Sequence, residues 1–287
     1  MSWLLLAILG AFFDASYYAF IKRFLEDVDR FILASGTFLN ASLFLFLLAY
    51  LNGIPATGPA FYDSVLITGS LNVLAALLYF EALKQTDLSL SIPMISFTPV
   101  FLILTSFLVL REIPSPSGAV GIVLIVLGSY VLHTGKDKGT FFDPFKNIFR
   151  NKGVLYMLLV AFLYSITANF DKRVVQNSDP IFGSSMIFLF IGVSFLVISM
   201  VKAPRSRMKS WKNIYKFLPP GAAISMAAVT INFAFTMQIV PYVISIKRLS
   251  IVFSVLLGGV MFRERDISRR SIGALIMLAG AALIALF

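Results

Sequence analysis

The chain has 287 residues, 59 % hydrophobic and only 13 % charged, with a mean hydropathy of +0.89 and a net charge of +10. Soluble domains are about 25 % charged, and apolar runs of about 20 residues recur here, which excludes a soluble protein with one anchor and points to a polytopic membrane protein. The absence of Cys excludes disulfides, thiolate metal sites and Cys nucleophiles. A single histidine, His133, at a predicted helix end leaves no His-based metal site, so no metal or cofactor is expected.

Ten helices are predicted, at 3–22, 31–51, 63–83, 88–110, 117–133, 153–173, 181–201, 217–238, 241–262 and 269–287. The first apolar run, Trp3–Ile21, lacks a basic start and a small-residue cleavage site, so it reads as a span and not as a cleavable signal. Asn52-Gly53-Ile54-Pro55 with Gly58-Pro59 forms a turn-rich second connection, and Pro114 and Pro116 interrupt the fourth. In the fourth helix Pro93 and Pro99 each remove a backbone donor, which lipid cannot compensate. A kink lining a cavity is expected there, with Ser91, Ser96 and Thr98 supplying bonds. The longest connection, Thr134–Lys152, is polar and basic and halves the chain.

The odd-numbered connections hold nineteen Lys and Arg residues against three in the even-numbered ones. By the positive-inside rule the odd connections are cytoplasmic and both termini outside, in a cell membrane. The same rule accounts for the net positive charge without nucleic acid, and the basic run Lys202–Lys216 reads as a juxtamembrane anchor to lipid.

The ninth predicted helix, Pro241–Phe262, carries Lys247 and Arg248. Each cation costs about 2.5–3.5 kcal/mol at the centre of an inserting helix, and each of the twelve Val, Ile, Leu and Phe residues returns about 0.3–0.6. The segment barely breaks even against lipid, so the two cations need neighbouring helices or a wet cavity, the usual mark of a functional site. The alternative is that Lys247 snorkels to the nearer interface. Adjacent residues project about 100° apart, so both cannot point the same way.

The chain also repeats itself. Ala11-Phe12 … Phe20-Ile21-Lys22-Arg23 recurs as Ala161-Phe162 … Phe170-Asp171-Lys172-Arg173, and Arg111-Glu112 … Gly121 … Gly128 as Arg263-Glu264 … Gly273 … Gly280. The division expected is 1–134, a basic connector at 135–152, and 153–287. Because five spans is an odd number, the halves enter the membrane with opposite polarity, the inverted-repeat plan of many secondary transporters. At the register of Ile95 and Ser96 the second half carries Lys247 and Arg248. Symmetry is thus lost where charge appears.

Tyr79-Phe80-Glu81-Ala82-Leu83-Lys84, then Pro93, Pro99-Val100-Phe101, Arg111-Glu112 and Gly121 … Gly128, resembles the EamA domain of the drug/metabolite transporter superfamily. The second half, through Arg263-Glu264 … Gly273 … Gly280, resembles it again. The resemblance covers essentially the whole chain. It implies an all-α, ten-helix carrier, commonly exporting or exchanging small metabolites, amino acids among them, and it implies no enzyme.

Gly121/Gly128 and Gly273/Gly280, seven apart, place small residues on one face each of the fifth and tenth helices, where they permit close packing. Among the few acids, Asp14 lies mid-helix and is either a proton carrier or the counter-ion of Arg248. Its placement eight residues before Lys22 also resembles the membrane-embedded carboxylate of small multidrug-resistance proteins. Glu81 reads as a counter-ion or interface residue near Lys84, and Tyr17, Tyr18 and Tyr79 as an aromatic wall for a substrate. Asn72, Asn169 and Asn232 are polar groups on apolar faces that serve either the site or helix contacts.

Three functions are compatible with these residues. The first is secondary transport of a small polar metabolite such as an amino acid or organic anion through a central cavity. The others are proton-coupled efflux of hydrophobic cations and lipid handling. The partners expected are the substrate, membrane lipid and coupling protons, for a monomer or homodimer.

Overall fold

The computed structural model describes residues 2–85, 94–133, 151–203, 214–262 and 267–286. It is all-α, with no strand among those residues. Among the described residues eleven α-helices make up the ten-span plan. They are α1 (Ser2–Phe24), α2 (Arg30–Asn52), α3 (Phe61–Gln85), α4 (Thr98–Leu110), α5 (Pro116–His133), α6 (Lys152–Gln176), α7 (Pro180–Lys202), α8 (Leu218–Phe235), α9 (Val240–Lys247), α10 (Ser250–Phe262) and α11 (Ile267–Leu286). Among the described residues six segments are long and apolar enough to cross a membrane unaided: α1, α2, α3, α6, α7 and α8 with the turn before it. Capping residues stand at three starts. Asp29 accepts from the Phe31 N–H at 2.9 Å, Asn151 from the Gly153 N–H at 3.0 Å, and Asp179 from the Ile181 and Phe182 N–H groups at 2.6 and 2.8 Å.

The ninth predicted helix is two helices. It breaks in a turn at Arg248–Leu249, where the Ile251 N–H bonds the Arg248 carbonyl at 3.0 Å. The fourth breaks at the same register, in a turn at Ser96–Phe97, and Pro99 falls in the first turn of α4, where a missing N–H costs nothing. Its distortion is therefore a break before Pro99 and not a kink at it. Pro93 lies outside the described residues.

Helix packing is symmetric between the halves. If α1–α3 correspond to α6–α8, α4 to α9 with α10, and α5 to α11, then exchanging halves turns each major contact into another. The α3–α6 contact becomes α8–α1, α4–α6 becomes the packing of α9 and α10 on α1, and α2–α8 becomes α7–α3. The pairs α2–α7 and α5–α11 exchange with themselves. In the α5–α11 crossing a methyl at Gly128 would lie 2.6 Å from the Gly273 carbonyl, and one at Gly121 2.8 Å from the Gly280 carbonyl. Only glycine permits backbones this close.

Candidate functional site

Four spans contribute to one polar cluster inside the bundle: α1, α3, α6 and the α9–α10 break. Asp14, 6 % exposed, sits mid-way along α1, and its Oδ1 is 3.2 Å from Lys247 Nζ. The sequence leaves Asp14 as either a proton carrier or the counter-ion of Arg248; the structure pairs it with Lys247. Arg248, in the turn that follows, has Tyr18, Asp14 and Tyr164 as its electrostatic neighbours. Its Nε is buried without a hydrogen-bond partner among the described residues, and no carboxylate there reaches the guanidinium as an ion pair.

Tyr17 has Tyr164, Asp14 and Tyr79 around it, and Tyr79 is also a neighbour of Tyr164. The Tyr17 and Tyr18 rings lie 5.2 Å apart. None of the four tyrosine hydroxyls makes a hydrogen bond among the described residues. Tyr18 is 53 % exposed, with Asp14, Tyr164 and Arg248 among its electrostatic neighbours. Tyr164 is a member that the sequence marks only as the repeat counterpart of Asp14.

The cluster continues along α3. The Thr68 hydroxyl is 2.5 Å from Asp171 Oδ1 on α6, and Asn72 Nδ2 donates to the Thr68 carbonyl at 2.9 Å and its hydroxyl at 3.2 Å. Lys247 also faces Asp171. Ionised, the four charged groups Asp14, Asp171, Lys247 and Arg248 sum to zero.

Other candidate residues are elsewhere. Asn169 is fully buried between α4 and α6, accepting from Ser106 at 2.7 Å and donating to Thr105 at 3.1 Å and the Ser165 carbonyl at 2.7 Å. Asn232 donates to Ser184 on α7 at 2.7 Å, and Ser96 shares a 2.6 Å bond with Ser129 on α5. These three fasten helices. Glu81 lies in the last turns of α3, exposed, 3.4 Å from Lys84 and accepting from Gln85 at 2.8 Å, so it does not join the cluster.

A second charged feature closes the end of the bundle bearing the even-numbered connections. Lys172 Nζ donates to Glu112 Oε1 at 2.6 Å and to the Gln238 carbonyl at 2.7 Å, while Glu112 Oε2 accepts the Val240 N–H at 2.8 Å. Glu112 is aimed inward by Arg111, which ends α4 in the left-handed region at φ 59°. Tyr242 adds a bond from the Ser115 N–H to its hydroxyl at 2.8 Å. Beside this network lies a cavity of about 500 Å³ lined by Lys172, Gln176, Thr236 and Gln238 among others. The sequence counts Lys172 among the cations of the even-numbered connections and marks Glu112 only as part of a repeated Arg-Glu pair. The signal that marks them is that both a lysine and an Arg-Glu pair recur in each half.

A solved protein structure superposes on 99 % of this chain and 96 % of its own with a TM-score of 0.78 at 17 % identity, which shows the fold. Among curated proteins, an "Uncharacterized transporter" of Methanothermobacter thermautotrophicus is 24 % identical over 282 residues, covering 90 % of this chain and 79 % of that one. A "Putative sugar uptake protein" of Lactobacillus helveticus is 23 % identical over 172 residues, 58 % of this chain; the match spans 57 % of that relative's length. The EamA-like transporter family matches residues 1–134 and again 151–286, and the chain belongs to that family.

Proposed function

We propose that this chain is a secondary transporter that carries a small polar metabolite bearing a carboxylate, with Arg248 as the anchoring cation. The Arg248 guanidinium inside the bundle, half-buried and with its Nε buried and unbonded among the described residues, carries this reading. A cation at such a site without an ion-pair partner is costly, and an anionic occupant offsets that cost with bidentate, charge-assisted bonds. Tyr17, Tyr18, Tyr79 and Tyr164 form the wall, their free hydroxyls oriented by the same occupant. The neutral sum of the four charges favours a zwitterion, whose ammonium group leaves that sum unchanged. In this reading the even-numbered connections face outside, and alternating access proceeds by rocking the two halves about the cluster.

The Asp14–Lys247 pair speaks against Asp14 as the carrier in efflux of hydrophobic cations, because that carboxylate is already paired. A neutral sugar is a second reading, favoured by the four open hydroxyls and by the name of the Lactobacillus relative. A metabolite screen by thermal shift identifies the ligand, since one bound at 100 times its Kd stabilises the folded state by about 2.7 kcal/mol. Uptake of that ligand into proteoliposomes by Arg248→Ala is then the test. Abolished uptake with unchanged folding is expected, and unchanged rates remove Arg248 from the site. If a sugar is the ligand, Arg248→Gln retains uptake while Tyr79→Phe and Tyr164→Phe weaken it.

A further inference from the structure

Asp171 is the carboxylate of the cluster that anion binding at Arg248 does not use. Lys247 on α9 is the charged group that faces it, but Lys247 is paired with Asp14, and no cation is within ion-pair distance of Asp171 among the described residues. The other helices packed on α6, namely α4, α7 and α8, present it with no further charge among those residues. On α3 it meets Thr68, which is completely buried.

The Thr68 oxygen has three neighbours: Asp171 Oδ1 at 2.5 Å, the Thr167 carbonyl at 3.4 Å and Asn72 Nδ2 at 3.2 Å. The Asn72 amide group can only donate, so the hydroxyl has one proton to place. With Asp171 ionised, Thr68 donates to the carboxylate. With Asp171 protonated, the acid O–H donates to Thr68, which turns its own proton to the Thr167 carbonyl. Both forms are hydrogen-bonded without moving a heavy atom. A half-buried carboxylate near the end of a membrane span with no paired cation is costly, and this surrounding gives its neutral form a partner too, although the 3.4 Å reach from Thr68 to the Thr167 carbonyl is weaker than the 2.5 Å bond that Thr68 makes to the ionised form.

We infer that Asp171, held by Thr68, is a proton-binding site of this carrier. The proton passes from water to an Asp171 carboxyl oxygen and back, and Lys247 keeps its charge throughout. The inference deepens the transport reading by naming the coupling ion, yet proton binding itself needs no substrate to be measured.

Infrared difference spectra of the full chain in phosphatidylcholine vesicles, taken from about pH 5 to 8, test it. A protonated-carboxyl band that grows as pH falls is expected. Asp171→Asn removes it, Asp14→Asn retains it, and Thr68→Val displaces its midpoint by about one to two pH units. Absence of the band in the unsubstituted protein, its survival in Asp171→Asn, or its loss in Asp14→Asn overturns the proposal. An unmoved midpoint in Thr68→Val overturns it as well, and that variant decides the matter if Asp171→Asn does not fold. Failure here leaves anion binding at Arg248 standing, because ligand-induced thermal shifts are read separately.

Discussion

Glu112→Gln keeps the size and the acceptor oxygen of the side chain at the even-connection end and removes only its charge. Lys172 then faces a neutral amide while 9 % exposed, with a partner 12 % exposed in the native pair. Breaking a buried ion pair by removing one charge typically costs about 3–5 kcal/mol, because the other charge stays buried. At roughly 2 °C per kcal/mol for a chain of this size, Tm falls by about 6–10 °C. If the cost falls only on the arrangement with this end closed, the closed-to-open ratio drops by about two to three and a half powers of ten. The chain has no native cysteine, so a single Cys in place of Thr236, in the adjoining cavity, reports opening by its labelling rate with an aqueous thiol reagent. Faster labelling and a lower Tm are expected in Glu112→Gln. The added substitution Lys172→Met removes the stranded charge and recovers most of the lost Tm, because apolar replacements of buried pairs are commonly neutral or stabilising. An unchanged Tm and labelling rate, or a double variant less stable than the single one, refutes the idea that this pair locks the end.

Asn169→Leu strands the Ser106 hydroxyl that it accepts from and removes its own bonds across α4–α6, at a cost of about 1–3 kcal/mol. Tm falls while ligand affinity holds; altered affinity would instead place Asn169 in the site. Gly128→Leu drives a side chain into the Gly273 carbonyl, 2.6 Å from the first added carbon. It costs at least about 1–3 kcal/mol as overpacking, and a Tm equal to the native value rules out the close α5–α11 crossing. Asp14→Asn leaves Lys247 without its ion-pair partner and lowers both Tm and uptake. Adding Lys247→Met restores Tm but not uptake, whereas restored uptake shows that the pair serves stability alone.

The spans were legible because a bilayer demands long apolar runs, and residues such as Asn52, Pro116 and Asp179 punctuate them with known turn and capping chemistry. The cations of the ninth span were legible through their cost in lipid. Their partners were not. Whether Lys247 or Arg248 turns toward Asp14 depends on the rotation of α9 against α1, which follows from packing across halves that are far apart in the chain. Asn169 and Asn232 look like site residues by polarity, yet the same polarity fastens α4 to α6 and α7 to α8, and sequence alone does not separate the two uses. Lys172 and Glu112 were hidden for the opposite reason. Sitting near helix ends, they resemble solvated charges until folding brings α6 over the fourth connection.

The paired helix breaks show how the two halves divide their work. In the first half Pro99 accounts for the turn at Ser96–Phe97, since its ring cannot continue a preceding helix. At the corresponding register the second half has Ile251, whose N–H is available and bonds the Arg248 carbonyl in a tight turn. The break at Arg248–Leu249 therefore has no proline of its own to cause it; the symmetric packing against α1, matching that of α4 on α6, holds it open. A shared framework thus fixes a non-helical turn at the same register in both halves. The first half spends that position on Ser96, satisfied by Ser129. The second uses it to present Arg248, which nothing among the described residues satisfies. In the transport reading proposed above, an arrangement symmetric in backbone and asymmetric in charge supplies one binding point between two similar halves, which is what alternating exposure of a single site requires.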